Sequence, residues 1–101
     1  MKHMVTYTLK PEHLAENERL VRAVFEALAE ARPAGLRYAT FRRGDSLDFV
    51  HLVSHTLADG SNALTSLPAF KAFSSGVKER CETPPLRVEL KEIGSYGFFG
   101  D

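Results

Sequence analysis

From His3 to Leu9 apolar or aromatic side chains take the odd positions Val5, Tyr7 and Leu9, while Thr6 and Thr8 fall between them. That period of two predicts a first strand, which Lys10-Pro11-Glu12 ends. Beyond it the repeat lengthens. Leu14, Val21, Val24, Phe25 and Leu28 fall on one side of a 3.6-residue period, predicting an amphipathic helix from about Leu14 to Ala31, stopped before Pro33 and Gly35. Glu18, Arg22 and Glu26, spaced four apart, take its solvated side, where opposite charges add roughly a few tenths of a kcal/mol.

Leu36 to Arg43 and Asp48 to His55 are rich in aromatic and β-branched residues, and Gly44-Asp45-Ser46 between them is turn chemistry, so the two read as a hairpin. The stretch Ala58-Asp59-Gly60-Ser61-Asn62 is the most loop-like of the chain. Ser66-Leu67-Pro68 then resembles a helix start, with Ser66 as cap and Pro68 in the first turn. Leu67, Phe70, Phe73, Val77 and Cys81 supply the apolar stripe of that second helix, and Ser74-Ser75-Gly76 within it are poor helix formers that mark a cleft wall or a local weakness. Pro84-Pro85 stops its continuation. Val88 and Leu90 alternate with Arg87, Glu89 and Lys91 in a last strand, followed by an aromatic tail from Tyr96 to Phe99.

The order strand, helix, strand, strand, helix, strand predicts an α+β fold: a ferredoxin-like βαββαβ protomer with one antiparallel four-stranded sheet and two helices on one face. Strands one and three are central in that arrangement. The other face cannot be left in water, because the hairpin strands carry Ala39, Phe41, Val50 and Leu52 on one side and Tyr38, Phe49 and Val53 on the other. A sheet wet on one side alternates cleanly between apolar and polar. The expectation is therefore a homodimer whose second copy covers that face, with the aromatic tail lying across the partner.

With 101 residues the chain is expected to form a single domain over 1–101, with one modest core. Thirteen basic residues balance thirteen acidic ones and are scattered, so the charge pattern speaks against a nucleic-acid partner. No apolar run approaches the roughly 20 residues of a membrane span, and the first residues run straight into a strand pattern, so the expectation is a cytoplasmic protein with no membrane partner. Cys81 is the only cysteine, which excludes an internal disulfide and a multi-cysteine metal site.

Four histidines raise the question of a metal. His51 and His55 share one face of one strand but lie about 13 Å apart at roughly 3.3 Å per residue, too far for one ion. With the first strand antiparallel beside the third, His3 falls near His55 and Tyr7 near His51, an incomplete two-histidine set; no metal is expected. Tyr7, Tyr38, Thr40 and His51 fall side by side with Val5, Phe49 and Val53, and polar groups converging on an apolar wall describe a small-molecule cleft. A buried Tyr–His pair satisfying its own hydrogen bonds has the same sequence pattern. As a cleft, it gives His51, Tyr38 and Tyr7 as candidate catalytic residues, histidine as base and tyrosine as donor to an oxyanion. Val5, Thr40, Phe49, Val53, His55, Phe70, Phe73 and Ser74 are its candidate ligand-binding lining. Cys81 reads as a small core residue, and Arg42 and Arg43 as a solvated hairpin tip.

Across nearly its whole length the chain resembles the antibiotic biosynthesis monooxygenase-like family of the dimeric α+β barrel superfamily. The resemblance lies in the first strand running into Lys10-Pro11, in Phe49-Val50-His51-Leu52-Val53-Ser54, in Pro68-Ala69-Phe70-Lys71-Ala72-Phe73, and in an ending through Arg80-Cys81, Pro84-Pro85 and Gly94-Ser95-Tyr96. It implies a ferredoxin-like protomer paired as a barrel, with a ligand cleft between helices and sheet. Some relatives oxidise quinols, phenols or polyketide aromatics with dioxygen and neither metal nor flavin; others degrade heme. The heme-degrading pattern is not met, since the chain has no tryptophan, Val5 or its neighbours stand where asparagine is expected, and Ser74 stands near the histidine position. The tryptophan and asparagine of the aromatic-oxidising relatives are not matched either. The expectation is thus a cofactor-independent monooxygenase-like protein for a small aromatic or quinol-type substrate, or else a ligand-binding or stress-associated barrel dimer that uses the same cleft without chemistry.

Overall fold

A computed structural model describes residues 2–55 and 63–98 of the chain. The alternating run forms strand β1 (Lys2–Leu9), a 3-10 turn follows at Pro11–His13, and the amphipathic segment forms helix α1 (Leu14–Ala31). The hairpin is β2 (Leu36–Arg42) and β3 (Asp48–His55). Gly44 takes a positive φ of 55° in its turn, and the Ser46 hydroxyl donates to Arg43 O while accepting from Asp48 N. Then come α2 (Pro68–Ser75), the short α3 (Val77–Arg80) and β4 (Cys81–Leu90). The loop-like stretch Ala58–Asn62 and the tail residue Phe99 lie outside the described residues.

The four strands form one antiparallel sheet in the order β2-β3-β1-β4, so β1 and β3 are central as the segment order requires. Its register sends odd residues of β1 and β3 and even residues of β2 to one face. That face supplies Tyr7, Leu9 and Phe49 to the core, where they meet Val24 of α1 and Phe73 of α2. The opposite face carries Met4, Ala39, Val50 and Leu52 outside that core. Phe41, Leu86 and Val88 on it are 48%, 62% and 40% exposed, more apolar surface than a solvated sheet face ordinarily shows.

Three local expectations are corrected. The second helix divides at Gly76, and Cys81 does not end its stripe but opens β4, because pairing with Leu9 of β1 overrides the helical pattern. Pro84-Pro85 does not precede the last strand but lies within it. This is an edge strand whose register slips between Thr6 and Thr8, where missing N–H donors are tolerated. Ser66 does not cap α2: its hydroxyl donates back to Ala63 O, and Leu67 occupies the cap position without a side-chain bond. Phe98 shares a shallow groove with Leu36, Ala39 and Leu52, so the tail reaches its own sheet. No helix among the described residues is long and apolar enough to cross a membrane.

Candidate functional site

Strand alternation brings Tyr7 of β1, His51 of β3, and Tyr38 and Thr40 of β2 to the helix-facing side of the sheet. The register between β1 and β3 differs by two residues from direct pairing of the polar groups. His51 lies opposite Val5, Tyr7 opposite Phe49 and His3 opposite Val53. Tyr7 and His51 are therefore diagonal neighbours, with ring centroids 5.3 Å apart, as are His3 and His55 at 5.6 Å. A shift of two residues keeps every side chain on its face.

His51 is buried and both ring nitrogens are engaged. Nε2 lies 2.8 Å from the Tyr7 hydroxyl, and Nδ1 lies 2.6 Å from the Tyr38 hydroxyl and 3.1 Å from that of Thr40. Behind Tyr7 the helices contribute two residues that the sequence pattern did not single out. Asn17 of α1, fully buried, donates from Nδ2 to the Tyr7 hydroxyl at 3.0 Å. Its Oδ1 accepts from Arg80 Nε at 3.1 Å, while Arg80 Nη2 donates to Phe73 O at 2.7 Å and the guanidinium lies 5.3 Å from the Phe73 ring centroid. Five side chains from five elements thus form one buried polar line, Arg80–Asn17–Tyr7–His51–Tyr38. The signal for Asn17 was a gap: it occupies the vacant place in the apolar stripe between Leu14 and Val21.

Burial disfavours the charged forms along this line. It lowers the His51 pKa to about 4, so the ring is neutral near pH 7. Burial also pushes the Tyr38 phenol up to about 12 and Tyr7 higher still, each opposed in part by a hydrogen bond, from Thr40 and Asn17 respectively. Both tyrosines are therefore hydrogen-bonding groups rather than acids. A phenol near 10 losing its proton to an imidazole at about 4 faces a gap of about six units, roughly 8 kcal/mol, before stabilisation of the resulting ion pair. That weakens the expected role of His51 as direct base and leaves it holding and orienting Tyr38.

The line ends at a cavity of about 280 Å³ between sheet and helices. Tyr7, Tyr38 and His51 border it, as do the expected lining residues Val5, Val53, His55, Phe70, Phe73 and Ser74. Thr40 and Phe49 are not part of its wall. Thr40 stands behind His51, and Phe49 is buried with its ring stacked on Tyr7 at 5.6 Å. His3, Leu64, Thr65, Val77, Pro85 and Arg87 are the other described residues of the lining. Arg87 donates to His3 Nε2 at 2.9 Å, and burial first, then the Arg87 charge, hold His3 below its ordinary pKa. A nitrogen that accepts from a guanidinium is not offered to a metal, and no group of three or more His, Cys, Asp or Glu side chains occurs among the described residues.

The fold is shared with solved structures. A Bacteroides thetaiotaomicron protein bearing antibiotic biosynthesis monooxygenase as a provisional name has a TM-score of 0.77 at 14% identity, over 92% of this chain and 89% of its own. One of the same provisional name from Nitrosomonas europaea gives 0.75 at 15% identity, over 95% and 92%. A Pseudomonas aeruginosa protein gives 0.69 at 23% identity, over 92% and 93%. No protein-family model matches the chain, and no curated protein matches it. At these identities the likeness is one of fold, and by fold the chain stands with the ferredoxin-like α+β proteins that carry the antibiotic biosynthesis monooxygenase name, as its sequence resemblance implied.

Proposed function

We propose that the protein is a monooxygenase-like dimeric barrel of the cytoplasm that oxidises a small aromatic or quinol-type substrate with dioxygen, without metal or flavin. The observation that carries this reading is the buried Tyr7–His51–Tyr38 line ending in the wall of a mostly apolar cavity. Phe70, Phe73, Val5 and Val53 offer a planar ring its contacts, and Tyr38 meets its oxygen. At about 280 Å³ the cavity lies just under the roughly 300–1,000 Å³ range of ligand sites, which favours a small substrate. An aromatic oxyanion held there is electron-rich enough to react with dioxygen. In the balanced reaction one oxygen atom replaces two hydrogens of a ring CH₂ in the keto tautomer, and the other leaves with them as water.

A second reading has its own support. Both nitrogens of His51 are occupied and its pKa is low, which suits a site that binds an aromatic without transforming it. Oxygen uptake with a panel of quinols and anthrone-like phenols separates the two. The enzyme reading expects uptake that falls about a hundredfold in Tyr38→Phe, the scale for loss of one oxyanion donor. Tight aromatic binding with no uptake from any substrate leaves the binding reading in place and removes the enzyme.

A further inference from the structure

The line from Arg80 to Tyr38 has a direction. Arginine only donates, so Asn17 must turn Oδ1 to Arg80 and Nδ2 to Tyr7. The Tyr7 oxygen, accepting from Asn17, turns its own hydrogen to His51 Nε2 at 2.8 Å. Nε2 is then the acceptor of the neutral ring and Nδ1 carries the hydrogen, donating toward Tyr38 at 2.6 Å. Tyr38 accepts from behind, from Nδ1–H and from the Thr40 hydroxyl, whose bond opposes the rise of its pKa, so its own O–H is left to the cavity it lines. The reverse order leaves the hydrogen of Tyr7, only 3% exposed, without an acceptor among the described residues, a costly fault at a buried group.

We propose that this site selects an oxyanion or a strongly polarised carbonyl oxygen, such as a phenolate or enolate, and that Arg80 and Asn17 are positioning residues that make Tyr38 a donor. This rests on the aromatic cavity proposed above and names which ionisation state it takes. The cation at the far end is buried, and no carboxylate among the described residues pairs with it. It acts on the ligand oxygen by fixing the order of donors through Asn17, Tyr7 and His51.

Asn17→Asp tests the direction with almost no change of shape. A carboxylate accepts from both sides, so Tyr7 turns its hydrogen to position 17, the His51 hydrogen moves to Nε2, and Tyr38 faces the cavity as acceptor. In the ¹⁵N-labelled full chain, long-range nitrogen–proton correlations should show His51 as the Nδ1–H tautomer, and Asn17→Asp as Nε2–H. An Nε2–H ring in the native protein overturns the proposal without any ligand. With 4-nitrophenol as probe and nitrobenzene as the control lacking a hydroxyl, the native site should favour the phenolate at least about tenfold, lowering the bound probe's pKa by about one unit. Tyr38→Phe and Asn17→Asp should remove that preference and keep nitrobenzene affinity. Should Asn17→Asp not fold, the native tautomer and Tyr38→Phe still decide. Nitrobenzene binding with no preference for phenolate overturns this inference and leaves the aromatic cavity standing; failure of both probes to bind overturns both.

Discussion

His51 is the residue whose environment reaches furthest into the behaviour of the chain. Its folded pKa of about 4 lies below the 6.5 of an unperturbed histidine, so the unfolded chain binds the proton more readily between those values. Stability from this group is fully present above about pH 6.5 and is lost as pH falls toward 4, by on the order of 3 kcal/mol. His3 and His55, also lowered, add to the loss in the same sense. Urea denaturation across this range should show the fall, and His51→Gln should flatten most of it; an unchanged slope would mean that His51 is solvated. Tyr7→Phe should cost about 1–3 kcal/mol by leaving Asn17 Nδ2 and His51 Nε2 without their partner, read as a lower urea midpoint at neutral pH. At this scale the sequence disclosed three of the five members of the polar line. Tyr7, Tyr38 and His51 were legible because a strand's period of two assigns faces without knowledge of register. Asn17 and Arg80 were not, because a helix stripe tolerates a polar member only when a distant partner satisfies it, and those partners come from other elements.

Among the elements, the break between α2 and α3 links local propensity to the site. Ser74-Ser75-Gly76 announced a weak point, and Gly76 has a reason to be glycine: a Cβ there would stand 3.1 Å from Arg80 Nη1. In an open helix Gly→Ala gains about 1 kcal/mol. Gly76→Ala should instead destabilise by a similar amount, because Arg80 is held by Asn17 and Phe73 and cannot step aside freely, and thermal melts should show a lower midpoint. A rise in midpoint would show that the guanidinium relocates without cost. Helix α1 was legible at both ends, its expected limits of about Leu14 and near Ala31 agreeing with the observed Leu14–Ala31. The start of β4 was not, since Cys81 fits the helical stripe equally well and only its pairing with Leu9 decides.

For the whole molecule, the two-sided apolar pattern of β2 and β3 was legible as a face needing cover, but one chain's sequence does not say how a second copy is set against it. The proposed homodimer predicts a light-scattering mass of twice the 11.2 kDa chain at micromolar concentration. Leu52→Asp, in the middle of the bare face, should return it to a monomer with an unchanged circular dichroism spectrum; a persistent dimer would place the interface elsewhere. Truncation after Ile93 should weaken the dimer less than Leu52→Asp does, since Phe98 already rests beside Leu36, Ala39 and Leu52 of its own chain. The prolines of β4 bear on assembly in another way. Two consecutive residues without N–H leave the outer margin of that strand short of a donor whichever way the backbone alternates, so it is a poor template for a further strand. Growth by margin-to-margin addition needs two receptive sides, and with this one capped a β2-to-β2 encounter would end at a pair, which favours a species that stays finite when the protein is concentrated.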